Sequence, residues 1–152
     1  MMTEQLKKST DFNFDIASPF HLAIPVHDLK VAQDFYGQLL NCQQGRSSDH
    51  WIDYNFFGHQ LVVHLDKNIS KKTFNAVDGK NIPIPHFGLV LDWIQWESLK
   101  QKLQKSNMEF IVDPYIRFKG QIGEQATMFF LDPSGNALEF KAFKNMDQLF
   151  AH

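Results

Sequence analysis

Apolar and polar positions alternate along several stretches of the chain, and a period of two marks a strand with one buried face. From Phe20 to Val26 the large apolar residues Phe20, Leu22, Ile24 and Val26 share one face, and His21, Ala23 and Pro25 share the other. From Gln60 to Leu65 the apolar face is Leu61, Val63 and Leu65, opposite Gln60, Val62 and His64. Ile84 to Leu91 sets Phe87, Leu89 and Leu91 against His86, Gly88 and Val90. After the dense turn signal Asp132-Pro133-Ser134-Gly135-Asn136, Ala137 to Phe143 puts Glu139 on the face opposite Leu138 and Phe140. Trp51 to Phe57, meeting the next strand at Gly58 and His59, Phe110 to Val112, and Thr127 to Leu131 complete the predicted strands.

Between them the period changes to that of a helix. Asp28 caps a segment in which Ala32, Phe35, Tyr36, Leu39 and Leu40 recur at helical spacing. Asp92 with Gln95 forms a capping box ahead of Trp96, Leu99 and Leu103, and Asn107 is the expected stop. Asp66 to Asn81 is polar and predicts a plain connection. Asp113 to Gln125, with its Gly and Pro residues, predicts a loop that closes as a lid.

Setting His21 on His86 overlays strand on strand and helix on helix, a repeat of about 65 residues. Each copy reads as one strand, one helix and three strands, and two copies must pack together to cover their sheets. The expected organisation is an N-terminal arm (1–18), a single α+β domain (19–143) of two βαβββ modules (about 19–66 and 84–143), and a frayed C-terminal tail (144–152). Phe12, Phe14 and Ile16 give the arm apolar side chains that order late, by packing.

Composition narrows the partners. A chain of 152 residues that is 43% hydrophobic, with 15 phenylalanines, supports a substantial core. A net charge of -2 carries no nucleic-acid or membrane footprint, so the expected partner is a small-molecule substrate. No apolar run has transmembrane length, and the single Cys42 predicts a buried, inert thiol and a reducing, cytoplasmic setting.

The candidate chemistry lies on the faces opposite the bulky residues. His21, His64, His86 and Glu139 stand there among the small Ala23, Val62, Gly88 and Ala137, as in the lining of a cup. Two histidines and one carboxylate form the facial set that holds a divalent metal with positions left open, and His21, His86 and Glu139 supply it. A lone histidine is more often a core or rim residue, and Glu139 alone could pair with Lys141 or Arg117; matching faces in two repeats favour the metal. His50 and His59 flank turns as weaker candidates for acid, base or substrate contact. His27 and His152 look structural or idle. Arg117 and Glu124, beside Gly120 and Gly123, are candidate substrate contacts from the predicted lid.

The segments HLAIPVHDLKVAQDFYGQLL, PHFGLVL and FFLDPSGNALEF resemble the first strand and helix, the fifth strand and the eighth strand of the vicinal oxygen chelate superfamily. That superfamily holds glyoxalase I, extradiol dioxygenases, fosfomycin-resistance enzymes and bleomycin-binding proteins. The resemblance covers Phe20 to Phe143 and implies paired βαβββ modules in a cupped, open barrel around a metal that binds two adjacent substrate oxygens. By position it places the metal ligands at His21, His86 and Glu139. The resemblance is not specific for the reaction; the intact ligand set makes a dioxygenase-like enzyme with Fe(II), and with His64 or His59 moving protons, the leading expectation. The alternatives are a glyoxalase-like lyase or isomerase with Zn(II) or Ni(II) and His64 as a fourth ligand, or a small-molecule binding or resistance protein; Mn(II) is a further candidate metal. Phe129 stands where many extradiol enzymes carry a tyrosine. Sheet edges and cup rims of this kind predict a homodimer.

Overall fold

The computed structural model describes residues 18–69, 73–77 and 79–151. The arm residues Phe12, Phe14 and Ile16, and His152, lie outside the described residues. The first module runs β1 (His21–Val26), α1 (Leu29–Ala32) extended by a π-helical turn (Gln33–Leu39), β2 (Gln43–Ser47), β3 (Trp51–Phe56) and β4 (His59–Leu65). A hairpin follows, β5 (Thr73–Val77) and β6 (Lys80–Ile84). The second module is β7 (His86–Leu91), α2 (Trp93–Lys105), β8 (Phe110–Arg117), β9 (Gln125–Leu131) and β10 (Ala137–Phe143), and a 3₁₀ turn (Met146–Gln148) closes the chain.

Local chemistry sets the boundaries. The Asp28 carboxylate accepts from the Lys30 and Val31 amides at 2.8 and 3.0 Å, and Asp92 and Gln95 complete their capping box ahead of α2. Such caps each stabilise a helix by about 1 kcal/mol. Asn107, at φ +57°, ends the turn after α2. The β3–β4 turn uses Phe57 and Gly58, both at positive φ, with the Gly58 amide donating to Asn55 Oδ1. The turn thus falls one residue earlier than the sequence suggests, and His59 joins β4.

The two modules form two open four-stranded sheets of the same design, β1-β4-β3-β2 and β7-β10-β9-β8, in which β1 pairs with β4 and β7 with β10 in parallel. Each sheet turns its apolar face inward. Phe56 of β3 meets Phe140 of β10 at 6.0 Å and Phe87 of β7 at 5.7 Å, and Phe35 from the π turn reaches Phe130 of β9. Strands within one sheet stand about 4.8 Å apart, so β3 and β10 could not touch if the modules were joined edge to edge through β4, β1 and β7. The sheets are therefore stacked through their apolar faces, and their polar faces point away from each other.

The turn Asp132–Asn136 ties the modules together. Asp132 accepts from the buried Tyr36 hydroxyl at 2.7 Å, from Asn136 Nδ2 and from the Ser134 and Asn136 amides. Asn136 Nδ2 also donates to the Pro25 carbonyl, and the His27 amide donates to Ser134 Oγ. Burial and the neighbouring Asp132 carboxylate push the Tyr36 hydroxyl well above the usual tyrosine range.

Four segments differ from the sequence reading. Gln43–Ser47 is an exposed edge strand with no apolar alternation to betray it. The expected connection contains the β5–β6 hairpin. β8 runs on to Arg117 through two register shifts that accommodate Pro114, which shortens the predicted lid to residues 118–124. The expected frayed tail is tied down, because the Lys144 amide donates to the Glu124 carbonyl and the Gly123 amide to Gln148 Oε1.

Candidate metal centre

The outward face of the second sheet carries the densest chemistry. His86 opens β7, and Glu139 lies on β10 opposite Gly88. His86 Nε2 stands 3.2 Å from Glu139 Oε2. The proximity depends on Gly88: a methyl group there would run into the Glu139 carbonyl oxygen, so only glycine lets the two strands approach as they do. The other carboxylate oxygen, Oε1, accepts from Thr127 Oγ1 at 2.7 Å and lies 3.4 Å from the Lys141 ammonium. The carboxylate is buried at 9% exposure, while both its neighbours His86 and Lys141 remain open to an outward cleft of about 190 Å³.

The β5–β6 hairpin sets the orientation of His86. Its Ile82 packs with Val112 and Phe129, and its Pro83 carbonyl accepts from His86 Nδ1 at 2.8 Å. The Phe129 ring stands edge-on to the imidazole at 5.1 Å. A carbonyl oxygen can only accept, so Nδ1 carries a proton and Nε2 is the ring atom that faces Glu139. A positive charge between Nε2 and Oε2 holds the two together: a proton does so as a charge-assisted hydrogen bond across the 3.2 Å, and a metal ion does so as a shared ion. A divalent cation fits that demand, since nitrogen and oxygen ligands bound at about 2.1 Å in neighbouring positions are about 3 Å from each other.

The outward face of the first sheet repeats half of this arrangement. His21 opens β1, and its Nδ1 donates to Gln60 Oε1 at 2.9 Å, which leaves Nε2 free for a ligand. His21 and His86 occupy outward faces of two stacked sheets, and among the described residues no three metal-ligating side chains come together.

The register places the remaining candidates. Gly88 pairs with Glu139, and the matching pair in the first module is Ala23 with Val62. An apolar residue thus stands where a fourth carboxylate could have been. His64 pairs with Pro25, two residues beyond Val62 or about 7 Å along the strand, and corresponds to Lys141. His59 is turned to the other face, at the margin of the core, where its Nδ1 accepts from the Phe20 amide at 2.8 Å. Arg117 ends β8 at the rim with its guanidinium over the Phe118 ring, and lies level with Gln125 and Phe143, four residues beyond Glu139. Glu124 accepts from the Gly120 amide at 2.7 Å and so serves its own loop. His50 follows the Ser48 turn. Sequence reasoning missed Gln60, Pro83, Thr127 and Gly88 as supports. Thr127 alone carried a signal, as a hydroxyl in an otherwise apolar strand.

A family model described as "Glyoxalase/Bleomycin resistance protein/Dioxygenase superfamily" matches residues 18–140. A glyoxalase/bleomycin resistance protein/dioxygenase from Alicyclobacillus acidocaldarius is 34% identical, with a TM-score of 0.74 over 87% of this chain and 96% of that one. The fosfomycin resistance protein FosX from Listeria monocytogenes is 15% identical, with a TM-score of 0.65 over 88% of this chain and 98% of that one. Lactoylglutathione lyase from Agrobacterium tumefaciens is 14% identical, with a TM-score of 0.63 over 90% and 98%. The last two share the fold alone. No curated protein matches the chain.

Proposed function

The chain belongs to the glyoxalase/bleomycin resistance protein/dioxygenase superfamily, and from that premise we propose a metal-dependent enzyme of dioxygenase type whose small-molecule substrate chelates the metal through adjacent oxygens. One observation carries the reading: His86 Nε2, its tautomer set by the Pro83 carbonyl, faces the Glu139 carboxylate at 3.2 Å. His86 and Glu139 of one copy and His21 of a second copy would hold the cation. Two features support sharing between copies. The stacked sheets turn His21 and His86 away from each other, and β1 and β7 are both edge strands with backbone groups available to a second sheet. The cleft at Glu139, about 190 Å³, is also smaller than the roughly 300–1,000 Å³ of drug-sized ligand sites, as expected of half a cup.

Two histidines and one carboxylate favour Fe(II) over Zn(II), Ni(II) or Mn(II). When bound, the cation supplies Lewis-acid polarisation of the two substrate oxygens and open positions for O₂. The protein's own groups do the rest. Pro83 and Gln60 hold the two imidazoles with Nε2 exposed, and Thr127 fixes the Glu139 carboxylate. His64, beyond the ligand level on the outward face of the first sheet, is the proton carrier in this reading, displaced from the ligand positions.

A glyoxalase-like lyase is the second reading, favoured by Phe129, whose ring packs on His86 and offers no hydroxyl where many ring-cleaving enzymes carry a tyrosine. Anaerobic incubation of the Fe(II) form with a panel of catechols, followed by air, separates the two. Oxygen uptake supports the dioxygenase. No uptake with any catechol, alongside conversion of a hemithioacetal, establishes the lyase instead.

A further inference from the structure

Glu139 is asked to neutralise two cations at once. Its Oε2 faces the proposed metal position beside His86, while its Oε1 lies 3.4 Å from the ammonium of Lys141. Lys141 is two residues along β10 on the same outward face, level with Val90 and Thr127, and its side chain is 27% exposed into the same cleft. A cation that draws the carboxylate's charge onto itself leaves the ammonium under-compensated, a few ångströms from a second positive centre. Opposite charge must come from what binds next. The Thr127 hydroxyl, which donates to Oε1, cannot supply it because it carries no charge.

We propose that Lys141 makes this site selective for an anionic chelator: of two ligands offering the same adjacent oxygens, the site takes the one that brings a carboxylate or comparable oxyanion, which the ammonium then pairs. The inference rests on the metal reading above and deepens it by naming the substrate class. Lys141 weakens metal binding on its own by competing for Glu139, and repays that loss once the anionic ligand arrives, so metal and ligand bind cooperatively. The register adds that the matching position in the first sheet holds His64, a group that can be neutral, so the ammonium's place in the second sheet is not a requirement of the shared fold design.

Glycolate and glycolamide test the point, since both offer a hydroxyl and a carbonyl oxygen and differ in charge. Calorimetric titration of Co(II) into wild type, Lys141→Met and Lys141→Arg is followed by titration of each ligand into the Co(II) forms, with the visible Co(II) spectrum as a second readout. The expected results are severalfold tighter Co(II) binding by Lys141→Met, and glycolate affinity reduced about 10- to 100-fold, the scale of one charge-assisted hydrogen bond. Glycolamide affinity should not change, and Lys141→Arg should retain glycolate. Equal glycolate affinity in wild type and Lys141→Met overturns the inference and leaves the metal reading intact. Wild type that takes up no Co(II), and no other divalent cation, overturns both.

Discussion

Because the Pro83 carbonyl can only accept, His86 offers Nε2 to the cleft, and His21 does the same while Gln60 presents Oε1 to its Nδ1. Glu139, the third ligand of the proposed set, has one oxygen held by Thr127 and the other directed at His86. Glu139→Ala should therefore abolish stoichiometric metal while circular dichroism stays that of wild type, and full metal retention would remove Glu139 from the assignment. His64 lies off the ligand level, so His64→Ala should bind metal nearly as wild type does and lose about 10²- to 10⁴-fold in turnover, the cost of a missing acid or base. Weakened metal binding in that variant would instead make His64 a ligand. Cys42 has no part in this chemistry. Burial pushes its thiol up to about 11, against a smaller opposing effect of Lys102, so at pH 8 iodoacetamide should react about 100-fold more slowly with the folded protein than with the unfolded chain. Comparable rates in the two states would show that the thiol is accessible.

At the level of elements, the site depends on how closely β7 approaches β10 and on what lies over it. Gly88→Ala puts a methyl group into the Glu139 carbonyl, so the strands must separate. A loss of about 1–3 kcal/mol in denaturant unfolding is expected, together with weakened metal binding. Wild-type stability in Gly88→Ala would mean that the strands yield freely. Much at this level was legible in the sequence. The alternation around His21, His86 and Glu139, the Asp28 and Asp92 caps and the Asp132–Asn136 turn all carry local signals that the structure realises. What escaped reading lacks such signals. Strand β2 is exposed throughout and shows no alternation, β6 contains a proline, and β8 continues past Val112 through a register shift that spans Pro114. The hairpin's carbonyl on His86 was invisible for a different reason, since a backbone oxygen has no signature in the side-chain pattern.

On the scale of the whole molecule, sequence periodicity says which residues share a face and is silent about which faces meet. The contact of Phe56 with Phe140 decides it: the apolar faces stack, the two half-cups face outward, and His21 is separated from the pair it would complete. A second copy resolves this if its first sheet lies beside the second sheet of the other, giving two equivalent centres per dimer. The direct test uses two inactive variants, His21→Ala and His86→Ala, carrying different affinity tags and purified as a mixed dimer. Each variant alone should hold no stoichiometric metal. In the mixed dimer one centre gathers both substitutions and the other gathers none, so one metal ion per mixed dimer is predicted, with a matching recovery of activity. A mixed dimer that binds no metal, or a chain that stays monomeric at micromolar concentration while binding one ion, would contradict a centre shared between two copies.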